Sequence, residues 1–468
     1  MAATYLTRTQ GTPTGDGKKA SFSFWMNPSY MTIGSGTFGL WEIRDPSITA
    51  SFDIAIDNGQ IWYGVLQGSW IGSLIPNWRP YNFNAWNHIV GVYDSAQAND
   101  YDRMKIYING KDVRTDYGGY STETYVAQDT ASTALAASSS YTQKWGRYAD
   151  TSTYIWDGYM AQCIFVDGEA YQASTFGSTD ATTGEWKPKS DGEIRSAVTF
   201  GDQGSLLPFS DASNLGYDYQ TAGRSTTNDF TVTGSGFKTL ENPSNMFPVL
   251  NNKDNYYVNS TYTNGNTTIT TPTSAYTWAT TTLGVSTGKW YFENYVSTGA
   301  SSTENMTGIA AGPSINNAEQ LGGEPDTYSY YGGGQIWADG SAAVSAMPTY
   351  TAGDYIGCAF DLDNNKIYWH KNGTYINSGD PSAGTGGQTI TAPDAQTFAN
   401  RTGFYFAAVG DYSSTAGGVY NINMGNGVFG TTALSGTTYS DSDGQGVFKY
   451  TVPTGYKCIN TKQIKTYG

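Results

Sequence analysis

The chain has 468 residues, enough for two domains of roughly 200 residues each. Its formal net charge is −15, with 25 Lys and Arg residues and no basic cluster, which excludes a nucleic-acid groove and argues against an anionic membrane surface. Charged residues make up 14% of the chain, whereas aromatic residues reach 15% and glycines number 57, a mixture that favours short strands and glycine-rich turns over helices.

Strand patterns begin near the N-terminus and recur along the first half. In "SFSFWMN", Phe22, Phe24 and Met26 point to one side of a strand. The segment "SFDIAIDNGQIWYGV" (51–65) alternates, turns at its Asn-Gly pair and alternates again, which predicts a hairpin with a primed turn. Further strands are predicted in "WNHIVGVYD" (86–94), "RMKIYINGKDV" (103–113) and "DGYMAQCIFVDGEA" (157–170).

From about 201 to 253 the alternating strand pattern gives way to a sequence typical of loops, with one short strand predicted near Phe230. We therefore predict a first domain at 1–235, a connector at 236–253 and a second domain at 254–468. The strand pattern restarts in "GKWYFENYV" (288–296) and "DYIGCAFDLDNNKIYWHKNG" (354–373). The expected fold class is all-β, with two antiparallel β-sandwiches in tandem.

Two stretches nearly repeat each other, "KIYING" at 105–110 and "KIYWHKNG" at 366–373. Each is an alternating strand that runs into Asn-Gly, a pair that tolerates positive φ. We interpret both as the same scaffold element, used once in each sandwich.

The first half resembles the laminin-G-like branch of the concanavalin A-like lectin and glucanase superfamily. The residues that carry this resemblance are "SFSFWMNPS", "WNHIVGVYD", "RMKIYINGKDV" and the segment from 157 to 189. The copies found in virion proteins of marine bacteriophages are especially similar. The resemblance implies a virion surface protein with a lectin-like sandwich.

The second half resembles a SPRY domain. The resemblance rests on "GKWYFENYV", "GIAAGP", "YYGGGQIWADG" and "DYIGCAFDLDNNKIYWHKNG". Its tail "GQGVFKYTVPTGYKCINTKQI" (444–464) is similar to the closing segment of phage-type SPRY domains. Together the two resemblances imply a concanavalin A-like sandwich followed by a SPRY-type sandwich.

Catalytic patterns are weak in this sequence. Glucanases of the superfamily need two carboxylates that face each other across a cleft, and the chain has no Glu-x-Asp-x-x-Glu run. With two histidines a three-histidine zinc site is excluded, and we expect His88 and His370 to be structural. Three cysteines occur outside CxxC pairs and are predicted to be buried free thiols: Cys163, Cys358 and Cys458. We therefore expect no enzymatic activity, no metal and no cofactor.

Two loops combine aromatic rings with polar groups, the combination that binds sugars by stacking and hydrogen bonding. They are "QGSWIGSLIPNWRPYNFN" (67–84) and "EPDTYSYYGGGQIWADG" (324–340). The alternative is that these rings bury themselves in the sandwich or between subunits. The candidate binding residues are Trp70, Trp78, Arg79, Tyr81, Tyr328, Tyr330, Tyr331 and Trp337.

The expected function is adhesion to host-surface glycans by a non-enzymatic virion appendage such as a tail fibre. One alternative is a capsid decoration or head-fibre protein whose loops bind other virion subunits, and a glycan hydrolase is disfavoured. The expected partners are host polysaccharide, other virion proteins and further copies of the chain, a trimer by analogy with phage fibres. No apolar run approaches the roughly 20 residues of a membrane helix, so we expect synthesis in the host cytoplasm and a place on the virion surface.

Overall fold

The computed structural model of the protein describes residues 4–28, 36–80, 85–137, 141–150, 153–220, 228–236, 238–254, 260–273, 276–300, 303–314, 318–413 and 415–468. The chain divides into two compact units, Met1–Lys238 and Thr239–Gly468. Both are built from antiparallel sheets, which confirms the expected all-β fold of two β-sandwiches in tandem. Within the described residues, no helix has the length and apolar character needed to cross a bilayer.

In its described residues, the first unit contains sixteen strands and four short helices. The strands are β1 Tyr5–Thr9, β2 Lys19–Pro28, β3 Thr37–Arg44, β4 Ala50–Asp57, β5 Gln60–Gln67, β6 Ser69–Pro76, β7 Asn87–Asp94, β8 Met104–Ile108, β9 Lys111–Asp112, β10 Tyr120–Thr124, β11 Thr142–Trp145, β12 Gly158–Asp167, β13 Gly177–Thr179, β14 Trp186–Pro188, β15 Ser205–Leu207 and β16 Thr231–Thr233. The helices are α1 Val113–Asp116, α2 Thr133–Ala136, α3 Ala173–Phe176 and α4 Asp191–Ala197.

Two sheets enclose the core of the first unit. An eight-stranded sheet runs in the order β10-β6-β5-β4-β3-β11-β1-β16, and a six-stranded sheet in the order β15-β12-β2-β7-β8-β9. The alternation predicted in β2 is confirmed, because Phe22, Phe24 and Met26 all enter the core between the sheets. The predicted hairpin is β4–β5, and both residues of its turn have positive φ, 49° at Asn58 and 77° at Gly59.

The outer faces of the two sheets of this unit differ. On the six-stranded sheet, Val90 and Ile164 pack against Phe176 of α3 and Ile194 of α4, so helices and loops cover that face with a second apolar cluster. On the eight-stranded sheet, the outward positions of the central strands are polar or aromatic instead. This second face carries the candidate site.

The part of the second unit that the structure describes contains seventeen strands and one α-helix, which lies at the end of the chain. The strands are β17 Thr261–Thr263, β18 Thr268–Thr270, β19 Thr277–Thr280, β20 Lys289–Thr298, β21 Asn305–Ala310, β22 Thr327–Tyr331, β23 Gln335–Ala338, β24 Ser341–Val344, β25 Tyr355–Asp361, β26 Lys366–Lys371, β27 Thr374–Tyr375, β28 Gln388–Thr389, β29 Phe406–Asp411, β30 Val419–Asn423, β31 Val428–Phe429, β32 Thr432–Ala433 and β33 Lys457–Cys458. The helix is α5 Thr461–Tyr467.

A nine-stranded sheet and a six-stranded sheet enclose the core of the second unit. The larger runs β17-β18-β30-β20-β25-β26-β27, with β28 beside β26 and β33 parallel to β20, and the smaller runs β19-β29-β21-β22-β23-β24. The C-terminal segment covers part of the outer face of the larger sheet, because Phe448, Val452 and Tyr456 pack on Tyr291 and Tyr368 there.

The boundary between the units lies nearer the N-terminus than the predicted start of the second domain. The predicted connector, 236–253, belongs from Thr239 onward to the second unit. Its apolar residues are the reason, since Phe247, Val249 and Leu250 are at most 5% exposed and Leu250 lies in the main core. The strand predicted near Phe230 is β16, at the edge of the eight-stranded sheet.

Candidate functional site

A row of polar positions crosses the outer face of the eight-stranded sheet. Alternation sends Trp41 and Ile43 of β3 into the core, so Glu42 points to the opposite face. Glu42 pairs across the sheet with Lys144 of β11 on one side and with Asp53 of β4 on the other. The same row continues, in register, through Thr7 of β1, Gly64 of β5 and Ser73 of β6.

The centre of this row is a buried ionic cluster. Glu42 accepts from Arg44 Nε and Lys144 Nζ, each at 2.9 Å, and from the backbone N–H of Ala149 at 3.1 Å. Arg44 Nη2 lies 3.5 Å from Asp53 Oδ1. Burial and the neighbouring Glu42 charge raise the pKa of Asp53. The carboxyls of Glu42 and Asp53 are 0% exposed, so they hold the sheet together and do not reach the surface.

Two tryptophans form the exposed part of the face. Trp70 on β6 is 43% exposed and meets Trp62 of β5 edge to face, with ring centroids 4.4 Å apart and planes at 85°. Gly64 makes this possible, because a Cβ there would lie 2.4 Å from Trp62 and 2.8 Å from Trp70. The Trp62 indole N–H donates to Ser73 Oγ at 3.0 Å, which fixes the orientation of the ring.

The aromatic surface extends from the tryptophans toward the ionic cluster. Trp62 meets Tyr148 with ring centroids 6.0 Å apart, and the Arg44 guanidinium lies 4.5 Å from the Tyr148 centroid. A cation on a phenol ring is attracted by the negative face of the ring. We call this surface the Trp70 face; it comprises Trp62, Gly64, Trp70, Ser73 and Tyr148.

A polar pocket of about 520 Å³ lies beside the segment that carries Tyr148. Threonine hydroxyls and opposite charges line it. Its threonines are Thr7, Thr9, Thr142, Thr231 and Thr233, and its charged residues are Arg8, Lys144, Arg147, Asp150 and Asp229. Aromatic rings beside hydroxyl and charged groups are the combination that binds sugars, whose apolar C–H faces stack while their hydroxyls form hydrogen bonds.

Of the four residues predicted in segment 67–84, the three that the structure describes do not lie together. Trp70 belongs to the exposed face. Trp78 is half-buried against the core and meets Tyr117 edge to face at 6.3 Å. Arg79 donates to Asn58 O at 2.8 Å and to Gln60 Oε1 at 2.9 Å, so it braces the β4–β5 turn. Tyr81 lies outside the described residues.

The aromatic segment 324–340 was a candidate binding loop, with burial of its rings as the alternative, and its tyrosines follow that alternative in the structure. It forms the β22–β23 hairpin, and its glycines make the turn. Tyr328, Tyr330 and Tyr331 are at most 3% exposed. The burial of Tyr328 and Tyr330 is tolerated because Tyr328 OH donates to Thr391 Oγ1 at 3.0 Å and Tyr330 OH donates to a backbone carbonyl. Trp337 is half-buried and stacks on Tyr331 at 5.7 Å.

Sequence reasoning missed Trp62, Ser73 and Tyr148. A signal for Trp62 exists, since it alternates with Ile61 and Tyr63 and so had to face away from the core. No local signal marks Tyr148, because its place beside Trp62 depends on a contact 86 positions apart in the chain.

His88 has the structural role expected for it. Its Nδ1 accepts from the Trp186 indole N–H at 2.9 Å, so the proton sits on Nε2, which donates to Ser23 Oγ at 2.8 Å. Trp25 stacks on the ring at 4.7 Å. Burial lowers the pKa of His88 to about 3. Cys163, Cys358 and Cys458 are buried and form no disulfide, as expected.

Comparison with protein families identifies a SPRY domain at residues 289–380, which span β20 to the loop after β27. A comparison with curated proteins finds no match. Among solved structures, the SPRY domain of human HERC1 is 15% identical, with 33% of this chain and 86% of that chain covered and a TM-score of 0.25.

Two further solved structures show the same level of likeness. The native heptameric SAP-like pentraxin from Limulus polyphemus is 12% identical, with 44% of this chain and 86% of that chain covered and a TM-score of 0.29. Domain 4 of AbnA, an extracellular arabinanase from Geobacillus stearothermophilus, was solved in complex with arabinotriose. It is 16% identical, with 35% of this chain and 68% of that chain covered and a TM-score of 0.23.

Proposed function

We propose that this chain is a non-enzymatic binding protein that adheres to a glycan through the Trp70 face. The observation that carries the proposal is the pair of Trp70 and Trp62, held at 4.4 Å beside a polar row with Trp70 43% exposed. Trp70 packs on Trp62, whose indole is held by Ser73, so the exposed Trp70 ring loses little conformational freedom on binding. Such preorganisation converts more of the contact energy into affinity.

The size of the expected effect follows from the area of the ring. A tryptophan or tyrosine buries about 150–250 Å² when it is covered. Truncating an aromatic anchor of this kind costs about 2 kcal/mol or more, which corresponds to roughly 30-fold in affinity. Trp70 is therefore expected to contribute most of the affinity for the glycan. Tyr148 and the threonine-lined pocket would contact and orient the neighbouring sugar units.

The carboxylates on this face of the sheet lie too deep to support hydrolysis of a bound glycan. Glycosidases place two carboxyl groups on either side of the scissile bond, within reach of the substrate. The pair on this face, Glu42 and Asp53, is 0% exposed and engaged by Arg44 and Lys144. A sugar bound on Trp70 would rest above this cluster without touching it.

We further propose that the protein acts at a virion surface, as an appendage made in the host cytoplasm. The support is the order of motifs along the chain, a laminin-G-like pattern followed by a SPRY domain at 289–380. Labelling intact virions with an antibody against this chain tests the location. Labelling confined to host cells, with virions negative, would refute it.

An array of host polysaccharides and defined oligosaccharides tests the glycan site. We expect the full chain to bind a subset of glycans and Trp70→Ala to reduce that binding about 30-fold. Tyr101→Ala is the matched control, since Tyr101 is 39% exposed in the same unit but packs under Arg114, away from the Trp70 face. Equal binding by Trp70→Ala and wild type would refute the site, and cross-links from Trp70 to another virion chain would favour a decoration protein.

A further inference from the structure

A pocket of about 550 Å³ opens in the second unit, outside the Trp70 face. One wall is the loop Gly379–Ser382, and the other is the C-terminal segment Lys449–Pro453. The walls are joined where the backbone N–H of Thr454 donates to Ser382 Oγ at 3.0 Å. His370 and neighbouring residues form the floor, and we call the site the His370 pocket.

The floor is held by a chain of buried hydrogen bonds. His370 Nδ1 accepts from the Gly373 N–H at 3.1 Å, so its proton sits on Nε2 and points to Tyr291 OH at 2.7 Å. Tyr291 OH in turn donates to Glu293 Oε1 at 3.0 Å. Burial lowers the pKa of His370 to about 3 and raises that of Glu293 to about 7. The imidazole is neutral and its ring orientation is fixed.

The same carboxyl group fastens one wall to the sheet. Glu293 accepts from the backbone N–H groups of Lys449 and Tyr450 at 2.9 and 2.8 Å, and from Asn423 Nδ2 at 3.3 Å. The wall is therefore bonded to β20 at the point where it lines the pocket. A ligand that enters finds a preformed site and does not have to order it.

Aromatic rings supply the apolar surface of the pocket. Tyr450 and Tyr375 meet the His370 ring edge to face, with centroids 5.1 and 5.3 Å away. Tyr439 stands at the rim and is 37% exposed. Its backbone exchanges two hydrogen bonds with Phe448, which fixes the main chain that carries the ring. A six-membered ring with apolar C–H faces can stack on Tyr439.

Polar groups of the lining remain available to a ligand. Asp380 uses Oδ1 to accept from the Ala383 N–H at 3.0 Å, which leaves Oδ2 as an acceptor. Lys449 also lines the pocket, and its Nζ lies 4.7 Å from the Tyr355 centroid and 5.9 Å from that of Tyr450. Within the described residues, the buried hydroxyl of Tyr375 has no hydrogen-bond partner, and a buried hydroxyl without one is costly.

We propose that the His370 pocket is a second binding site, for a short neutral saccharide. Its volume lies in the range of about 300–1,000 Å³ that small-ligand pockets occupy. One carboxylate and one ammonium on opposite walls cancel in charge, which disfavours a strongly acidic or basic ligand. Sugar hydroxyls both donate and accept, so they satisfy Asp380 and Lys449 together. A proline-rich peptide would fill the Tyr and Pro surface but would offer few hydrogen-bond donors to Asp380.

Calorimetric titration of the full chain tests the pocket, with cellobiose, lactose, mannobiose and a proline-rich decapeptide as probes. The background is Trp70→Ala, in which the affinity of the first site is expected to be about 30-fold lower. We expect one disaccharide to bind with unit stoichiometry, and Tyr439→Ala and Asp380→Asn each to weaken it at least tenfold. Phe404→Ala is the control, an aromatic residue 43% exposed in the same unit and outside the pocket, and it should bind like the parent.

The outcomes separate this site from the first one. Loss of all saccharide binding in Trp70→Ala overturns the His370 pocket and leaves the Trp70 face intact. Disaccharide binding that persists in Trp70→Ala and disappears in Tyr439→Ala supports the pocket. The Trp70 face is overturned separately, if Trp70→Ala binds the glycans of the array as tightly as wild type does. Binding of the decapeptide alone also overturns the proposal. So does a saccharide affinity in Tyr439→Ala and Asp380→Asn that equals the affinity of the Trp70→Ala parent. Tyr439 and Asp380 are both exposed, so each variant is expected to fold.

Discussion

Asn109 and Asn372 make the same hydrogen bond in different units. Each has φ of 49°, and each accepts through Oδ1 from a backbone N–H of the neighbouring strand at 2.8 Å, His88 in one unit and Tyr355 in the other. A glycine with positive φ follows each of them, and an aromatic ring packs on that glycine. The near-repeat of "KIYING" and "KIYWHKNG" is thus the same Asn-Gly turn, stabilised by the same side-chain hydrogen bond, in each of the two units.

Replacing these asparagines should destabilise each turn by a predictable amount. Asn109→Ala and Asn372→Ala lose the hydrogen bond and place an alanine, which tolerates positive φ less well than asparagine does, in the left-handed region. Together the two effects should lower the unfolding free energy by about 2 kcal/mol. Asn109→Gly loses the bond but adopts this φ without strain, so about 1 kcal/mol is expected. Denaturant titration measures both. Equal losses for Ala and Gly would contradict the assigned role of φ.

Filling the space at Gly64 should disrupt the Trp70 face. In Gly64→Ala the new methyl carbon would lie 2.4 Å from Trp62, so the two tryptophans must separate. We expect glycan affinity to fall about tenfold or more, with a loss of about 1–3 kcal/mol in stability from overpacking. The control is Gly192→Ala in α4, where the nearest atom is 4.0 Å away and binding should not change. Retained affinity in Gly64→Ala would contradict the geometry of the pair.

Breaking the buried ionic cluster should be costly. Glu42→Ala leaves Arg44 and Lys144 without their shared carboxylate in a buried position, and we expect a loss of about 3–5 kcal/mol. Glu123→Ala removes an exposed pair with Arg114 and should cost less than about 1 kcal/mol. Chemical denaturation of both variants gives the comparison. Similar small losses at the two sites would show that the cluster contributes little.

Acid should weaken the first unit through His88. The folded state holds this imidazole neutral down to a pKa of about 3, whereas an unfolded histidine takes up a proton near its ordinary value of 6.5. Between these values the unfolded chain binds the extra proton, so the unfolding free energy falls as the pH falls, by up to about 1.4 kcal/mol per pH unit. His88→Gln should flatten this part of the profile. An identical pH dependence in wild type and variant would refute the linkage.

Local sequence determines much of the fold of this protein. The alternation of Phe22, Phe24 and Met26, and the Asn-Gly turn at 58–59, predict a strand and a hairpin that the structure contains. Such patterns are reliable because a strand with one buried face must alternate, and because few residues tolerate positive φ. The structural role of His88 was also predictable, since one histidine without a placed acid and nucleophile has no catalytic assignment.

The tertiary structure decided which aromatic residues are accessible. Trp70 and Tyr330 occur in similar polar, glycine-rich segments, yet Trp70 is 43% exposed and Tyr330 is fully buried. The difference arises from the neighbouring strands and from a carbonyl that accepts the Tyr330 hydroxyl, neither of which is adjacent in sequence. The position of Tyr148 beside Trp62, and of Glu293 beneath the wall of the His370 pocket, likewise depend on long-range packing. Composition and alternation determine that the chain forms two sandwiches. Which aromatic side chains are exposed, and which residues meet at a site, is decided only by the tertiary structure, because both depend on contacts between residues far apart in the chain.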